Sequence, residues 1–89
     1  MRTVIVLIPV DYDNAKEMAE YLIGKEFENE FHVRKYITDN GKFDDFDDYS
    51  DVISNVDILT INEFVNGIND QTYDVMSEYF VANVNLEIW

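Results

Sequence analysis

The chain has 89 residues and no cysteine, and its 19 acidic and 6 basic residues give a formal net charge of −13. Hydrophobic residues make up 47% of the sequence, too large a share for a chain that charge keeps disordered. We therefore expect one acidic folded domain over residues 1–89. The lack of cysteine excludes a disulfide scaffold, a thiol nucleophile and a cysteine-ligated metal site.

The apolar opening run over residues 3–10 is too short to cross a bilayer, and no small-residue cleavage site follows it. We do not interpret it as a signal peptide, and we expect a cytoplasmic protein that does not contact a membrane.

The charge is unevenly distributed along the chain. Residues 1–42 hold all six bases and eight acids, which gives −2, whereas residues 43–89 hold eleven acids and no Lys or Arg, which gives −11. Most carboxylates of the second half therefore lack a cation nearby in sequence and repel one another. Two interpretations remain open here: generic solubility, or a surface that meets a basic partner.

The first half predicts a strand, a helix and a second strand. Residues 2–10 are β-branched and apolar on both faces, which is typical of a central strand. Asp13 or Asn14 is expected to cap the helix that follows, with Glu17 placed to form a capping box with Asn14. The apolar stripe of this helix is expected to comprise Ala15, Met18, Ala19, Leu22 and Ile23, with Phe27 closing it.

Residues 30–38 alternate well enough to predict a second strand, with Phe31, Val33 and Ile37 pointing inward. Residues 39–42 are expected to form a turn, because Asn-Gly tolerates positive φ.

The segment 43–56 predicts an amphipathic helix with an aspartate stripe. At 100° per residue its apolar side chains share one side, and Asp44, Asp47, Asp48 and Asp51 share the other. Aspartate is a poor helix former, and like charges three and four residues apart are destabilising. The stripe is therefore interpreted as selected for its charge.

The rest of the chain predicts a short strand over 57–59 and a helix that begins at the capping box of Thr60 and Glu63. Its apolar positions Ile61, Phe64, Val65 and Ile68 share one face. A short helix over 72–79 and a half-buried strand over 80–89 follow. The expected fold is α+β, a small three- to four-stranded sheet with helices packed against it, one of them bearing the aspartate stripe.

Motifs of catalysis are missing from the sequence. The single histidine, His32, is expected on the outer face of a strand, no serine lies in a nucleophile elbow, and no phosphate-binding glycine motif occurs. An EF-hand register ending at Glu63 would put Val52, Ser54 and Val56 at ligand positions, so it fails. We expect no enzyme activity, no cofactor and no dedicated metal site.

The aspartate stripe has a spacing like that of DNA phosphates. Asp44 to Asp51 spans about 10.5 Å of helix, which gives a carboxylate every ~3.5 Å against ~3.4 Å per phosphate on one DNA strand. Such a surface repels nucleic acid and attracts proteins that bind it. The candidate partner-binding carboxylates are Asp44, Asp47, Asp48, Asp51, Asp57, Glu63, Asp70, Asp74 and Glu78, and Tyr49, Tyr73, Tyr79 and Trp89 are candidate apolar anchors.

In size, charge, lack of cysteine and Asn/Asp/Tyr/Ile-rich usage, the whole chain resembles the small acidic DNA-mimic inhibitors of bacteriophages. It is most similar to the anti-restriction nuclease (Arn) type of T-even phages. The resemblance has no short motif, so it transfers no residue role. It implies a host-cytoplasmic inhibitor that occupies the DNA-binding groove of a restriction endonuclease acting on modified DNA, often as a homodimer. The nearly balanced first half departs from the most acidic members.

Two alternatives from other classes remain. A phage host-takeover adaptor would bind a polymerase or regulator through an apolar face, with weak salt dependence. A small divalent-cation-binding domain would be stabilised by metal ions.

Overall fold

The computed structural model describes residues 1–40, 55–70 and 78–88. It confirms the expected α+β class, with helices packed against a four-stranded mixed sheet. The elements within these ranges are β1 (Arg2–Pro9), α1 (Ala15–Leu22), β2 (Glu26–Phe27), α2 (Glu30–Asn40), β3 (Asp57–Thr60), α3 (Ile61–Asn69) and β4 (Tyr79–Leu86).

The sheet has the strand order β2-β4-β1-β3. Strand β1 is antiparallel to both of its neighbours, with Val6 opposite Ala82 on β4 and Ile58 on β3, while β2 pairs parallel to β4. The predicted central position of the first strand is confirmed. Because β1 and β4 are antiparallel, the end of β1 lies beside the start of β4, where Pro9 is opposite Tyr79.

The main core forms where α1 and α2 cover one face of the sheet. Alternate residues of β1 and β4 point into it, and the apolar stripe of α1 packs on them. Leu7, which points to the opposite face of β1, is also fully buried, so the central strand is covered on both sides. The core residues are Val4, Val6, Ile8, Ala15, Met18, Ala19, Leu22, Val33, Ile37, Val56, Ile58, Ala82, Val84 and Leu86.

The predicted strand over 30–38 is wrong, because these residues form helix α2. Val33 and Ile37 are buried as expected, but they share one face of a helix because they are four residues apart. Phe31, which was expected to point inward, is exposed. Local bonds favour the helix: the Asn29 side chain accepts from the backbone N–H of His32 at its start. The ion pairs Arg34–Glu30 and Lys35–Asp39 then follow at the four-residue spacing of a helix. Asp39 and Asn40, expected in a turn, belong to α2, while Gly41 and Lys42 lie outside the described residues.

Helix α1 is confirmed, but its predicted capping box is wrong. Asn14 is the N-cap residue without a side-chain capping bond, and its amide instead donates to the carbonyl of Asn40 at 2.9 Å. The helix ends at Leu22, and Gly24 adopts φ +75°, a left-handed conformation that turns the chain into β2. Phe27 therefore lies on β2 and does not extend the α1 stripe.

The later elements are confirmed where they are described. Strand β3, the capping box that starts α3, and β4 occupy their expected places, although Ile88 lies beyond the end of β4 and is exposed. Val56 is buried, as its place in the pattern predicts. Most of the predicted helix 43–56, including its aspartate stripe, and most of the predicted helix 72–79 lie outside the described residues. No helix in the described ranges is long and apolar enough to cross a membrane.

Candidate partner-binding surface

The N-terminus of α3 holds one candidate carboxylate in a defined position. The Thr60 hydroxyl accepts from the backbone N–H of Glu63 at 3.1 Å, and the Glu63 carboxylate accepts from the backbone N–H of Thr60 at 2.9 Å. This reciprocal pair satisfies two N–H groups that the first turn of a helix leaves unbonded. The Glu63 carboxylate is therefore held on the surface by the backbone N–H of Thr60.

The same bonds stabilise the charge of Glu63. Hydrogen bonds from the Thr60 backbone and side chain lower the pKa of Glu63 from its ordinary value of 4.5, and the positive charge of Arg2 adds to this effect. Glu63 is therefore an anion well below neutral pH.

A second group of acidic residues lies at a cleft at the end of β1. The backbone N–H of Val10 donates to the carbonyl of Glu78 at 3.0 Å, which joins the segment after β1 to the one before β4. The cleft has a volume of about 480 Å³, and the residues that line it include Asp11, Asp57 and Glu78. Three acidic residues from three separate parts of the chain thus border one space.

Asp57 lines this cleft, and its environment shifts its pKa. Partial burial raises the pKa of Asp57 above its ordinary value of 3.8, while the positive charge of Arg34 acts in the opposite direction and does not cancel the effect. The Asp57 carboxylate is therefore held in the fold at an electrostatic cost.

The ion pairs between described residues are confined to the segment 28–39. They join Glu28 to His32, Glu30 to Arg34 and Lys35 to Asp39. Within residues 55–70 and 78–88 no carboxylate takes part in one. Glu63, Asp70, Glu78 and Glu87 in these ranges are exposed, and the sequence offers no Lys or Arg beyond residue 42. The acidic second half thus faces solvent with little neutralisation in the described part.

The structure divides the described candidate residues into two places. Asp57 and Glu78 meet at the cleft, joined by Asp11, which sequence reasoning missed although it directly follows the first strand. Glu63 and Asp70 lie at the two ends of α3, where the Asp70 backbone N–H bonds the carbonyl of Asn66 at 2.9 Å. The candidates Asp44, Asp47, Asp48, Asp51 and Asp74 lie outside the described residues.

Helix α3 also carries an exposed apolar stripe, which we define as Ile61, Val65 and Ile68. These side chains are 51%, 45% and 40% exposed, whereas Gly67 is the buried residue of the helix and Phe64 is half-buried. The predicted shared face exists, but most of it lies outside the core. Of the candidate aromatic anchors, Tyr79 is half-buried at the start of β4, and Tyr49, Tyr73 and Trp89 lie outside the described residues.

The described part of the chain contains no assembled metal-binding site. No group of three or more His, Asp or Glu side chains there is close enough to hold an ion. The surface can instead attract cationic groups through Glu63, Asp70 and the acidic cleft.

No family model, curated protein or solved structure matches this chain.

Proposed function

We propose that this protein is a DNA-mimic inhibitor that acts in the host cytoplasm, without catalysis and without a cofactor. It would occupy the DNA-binding site of a restriction endonuclease or another nucleic-acid-binding protein. The observation that carries the proposal is the unneutralised charge of the second half of the chain. Residues 43–89 contain eleven acids and no Lys or Arg. In the part of this half that the structure describes, no carboxylate takes part in an ion pair.

The described carboxylates have a spacing that fits the proposal. Glu63 and Asp70 are seven residues apart, so they lie on the same side of α3, about 10.5 Å apart along its axis. That distance is close to three intervals of ~3.4 Å between phosphates on one DNA strand. Lys and Arg side chains placed to bind phosphates would meet these carboxylates at a similar spacing.

The mechanism is competitive occlusion. Unneutralised carboxylates attract a cationic groove from a distance, which speeds association and makes it sensitive to salt. The acidic cleft would receive a further cationic side chain of the partner. A homodimer, as the resemblance implies, would lengthen the charged surface.

The test is inhibition of purified DNA-binding enzymes, beginning with a restriction endonuclease that cuts modified DNA. We expect the protein to raise the apparent KM for DNA without changing kcat. The variant Glu63→Gln/Asp70→Asn/Glu78→Gln should inhibit more weakly at low salt, and Asp44→Asn/Asp47→Asn/Asp48→Asn/Asp51→Asn should lose most of its inhibition.

The matched control is Asp13→Asn/Glu17→Gln/Glu20→Gln, which removes three exposed carboxylates from the first half. It removes three negative charges, as many as the Glu63, Asp70 and Glu78 variant does. Equal inhibition by these two triple variants would mean that only net charge matters. Failure of the wild-type protein to compete with DNA for any enzyme tested would refute the proposal.

A second candidate function is favoured by the exposed stripe of α3. A host-takeover adaptor would bind a polymerase or regulator through such an apolar surface. Its binding would persist at high salt and would not be displaced by DNA, so the salt series of the same experiment distinguishes the two functions. The cation-binding alternative stays a prediction, since the aspartate stripe lies outside the described residues; a thermal-shift series with divalent cations tests it.

A further inference from the structure

Helix α3 places its two kinds of exposed side chain on opposite flanks. On a helical projection the apolar stripe Ile61, Val65 and Ile68 occupies one flank, and Glu63 and Asp70 occupy the other. The helix lies against β3 and β1, with Gly67 buried, so both flanks remain open. An amphipathic surface helix normally buries its apolar stripe, so an exposed one marks a binding surface.

We infer that the α3 stripe is an apolar anchor that docks on an apolar patch bordered by Lys and Arg in the partner's nucleic-acid-binding groove. This inference rests on the proposed function. A helix is about 10–12 Å wide with its side chains. Such a helix can insert into a groove with one flank against an apolar wall and the other against cationic side chains.

Charge complementarity selects this occupant over a second copy of the chain. The sequence has no Lys or Arg after residue 42, so α3 itself carries no cation, and the charge of Arg2 acts on Glu63 at the start of the helix. Pairing two copies through the stripe would bring together two α3 helices that each carry Glu63 and Asp70. A patch bordered by cations buries the same apolar area without that repulsion.

The anchor gives the mimic what charge alone does not supply. Exposed charge pairs mainly accelerate association and weaken as salt rises, whereas a desolvated apolar contact slows dissociation. An inhibitor with both features reaches its target quickly and stays bound at the ionic strength of a cell.

The test uses two synthetic helical peptides of equal length and charge. One has a Lys face and a Leu face, and the other has the same Lys residues with Gln in place of every Leu. Binding of each to the full chain is measured by isothermal titration calorimetry at ~50 mM and ~500 mM NaCl. We expect the Lys/Leu peptide to bind about tenfold or more tightly than the Lys/Gln peptide, with the difference kept at high salt.

The stripe variant is Ile61→Gln/Val65→Gln/Ile68→Gln, because glutamine is polar, neutral and a better helix former than valine or isoleucine. It should lose the preference for the Lys/Leu peptide while it binds the Lys/Gln peptide like the wild type. The matched control Ile23→Gln/Ile88→Gln removes exposed apolar side chains elsewhere and should keep the preference. Circular dichroism confirms that each variant is folded before binding is measured.

Three results would overturn the anchor. The first is equal binding of both peptides by the wild type, and the second is a stripe variant that keeps the preference. In both cases the binding to cations that the proposed function needs survives without the anchor. Sedimentation equilibrium showing a wild-type dimer and a monomeric stripe variant would assign the stripe to a second copy. Failure to bind either peptide at low salt would instead refute the proposed function itself.

Discussion

The Arg34 guanidinium donates a 2.7 Å hydrogen bond from Nη1 to the backbone carbonyl of Val56, 22 residues further along the chain. Its Nε and Nη2 atoms donate to the Glu30 carboxylate at 3.2 and 3.0 Å. One side chain thus ties helix α2 to the residue before β3. The same guanidinium opposes the rise in the pKa of Asp57 on that strand.

The first prediction is that Arg34→Lys destabilises the fold by about 1–3 kcal/mol. Lysine keeps the charge but lacks the planar guanidinium, which donates to the Val56 carbonyl and the Glu30 carboxylate at the same time. Urea unfolding followed by circular dichroism measures the change. The control is Lys35→Met on the same helix: the Lys35 side chain is 57% exposed against 13% for Arg34, and its ion pair should contribute less than about 0.5 kcal/mol. Equal losses in the two variants would contradict the role of Arg34.

The second prediction concerns the start of α3. Thr60→Ala removes the hydroxyl that accepts from the Glu63 N–H and should cost about 1 kcal/mol. Thr60→Ser keeps that acceptor and serves as the control, with a much smaller loss. Thermal unfolding of both variants measures the difference, and an alanine variant as stable as the serine variant would show that the cap contributes nothing.

The third prediction is a pH dependence due to Glu63. Its pKa is lowered in the fold, so its stabilising contribution is complete above the unfolded pKa and is lost as the pH falls through the folded pKa. Relative to Glu63→Gln, the wild type should therefore lose stability as the pH falls below the ordinary glutamate pKa of 4.5 and through the lower folded pKa. Thermal unfolding across this range, compared with a Glu87→Gln control, measures the effect; parallel curves for the wild type and Glu63→Gln would contradict it.

The fourth prediction has the opposite sign and concerns Asp57. Burial raises its pKa in the fold, so the charged form is penalised above the folded pKa and the penalty vanishes below the unfolded pKa, near 3.8. Asp57→Asn should therefore raise the melting temperature at neutral pH, and this gain should disappear on acidification. Glu87→Gln changes the net charge by the same amount at an exposed position. A gain no larger than that of the control would attribute the effect to general repulsion.

The fifth prediction tests the turn after α1. Gly24→Ala should cost about 1 kcal/mol because an alanine at φ +75° is strained, although open space surrounds the added Cβ. Gly24→Asn should cost less, since asparagine tolerates this conformation better. Denaturant unfolding distinguishes the two, and an alanine variant of wild-type stability would show that the turn relaxes.

Sequence reasoning was most successful where the pattern was local and repeated. The stripe of α1, the alternation in β4 and the capping box of Thr60 and Glu63 each follow from neighbours within one element. The prediction of a strand over 30–38 was wrong because it used only the imperfect alternation of these residues and left out two pairs of opposite charges at helical spacing. These pairs, together with Asn29 as a residue that favours the start of a helix, were the sequence signals that could have identified α2.

The candidate surface shows a similar division. The acidity of residues 43–89 and the positions of Glu63 and Asp70 on one helix follow from the order of residues alone. The meeting of Asp11 with Asp57 and Glu78 depends on the antiparallel pairing of β1 with β3 and with β4. These strands lie about 50 and 70 residues further along the chain, and no local pattern specifies the pairing.

By itself, the sequence determined an acidic α+β domain with its cations confined to the first 42 residues, because charge and hydrophobic period are properties of the residues in order. Only the tertiary structure decided which apolar faces are covered. The stripes of α1 and α3 have comparable patterns, yet α1 packs against β1 and β4 while Ile61, Val65 and Ile68 face solvent. An amphipathic pattern indicates that burial of one helix face is favourable. Whether another part of the fold covers that face depends on how distant elements pack.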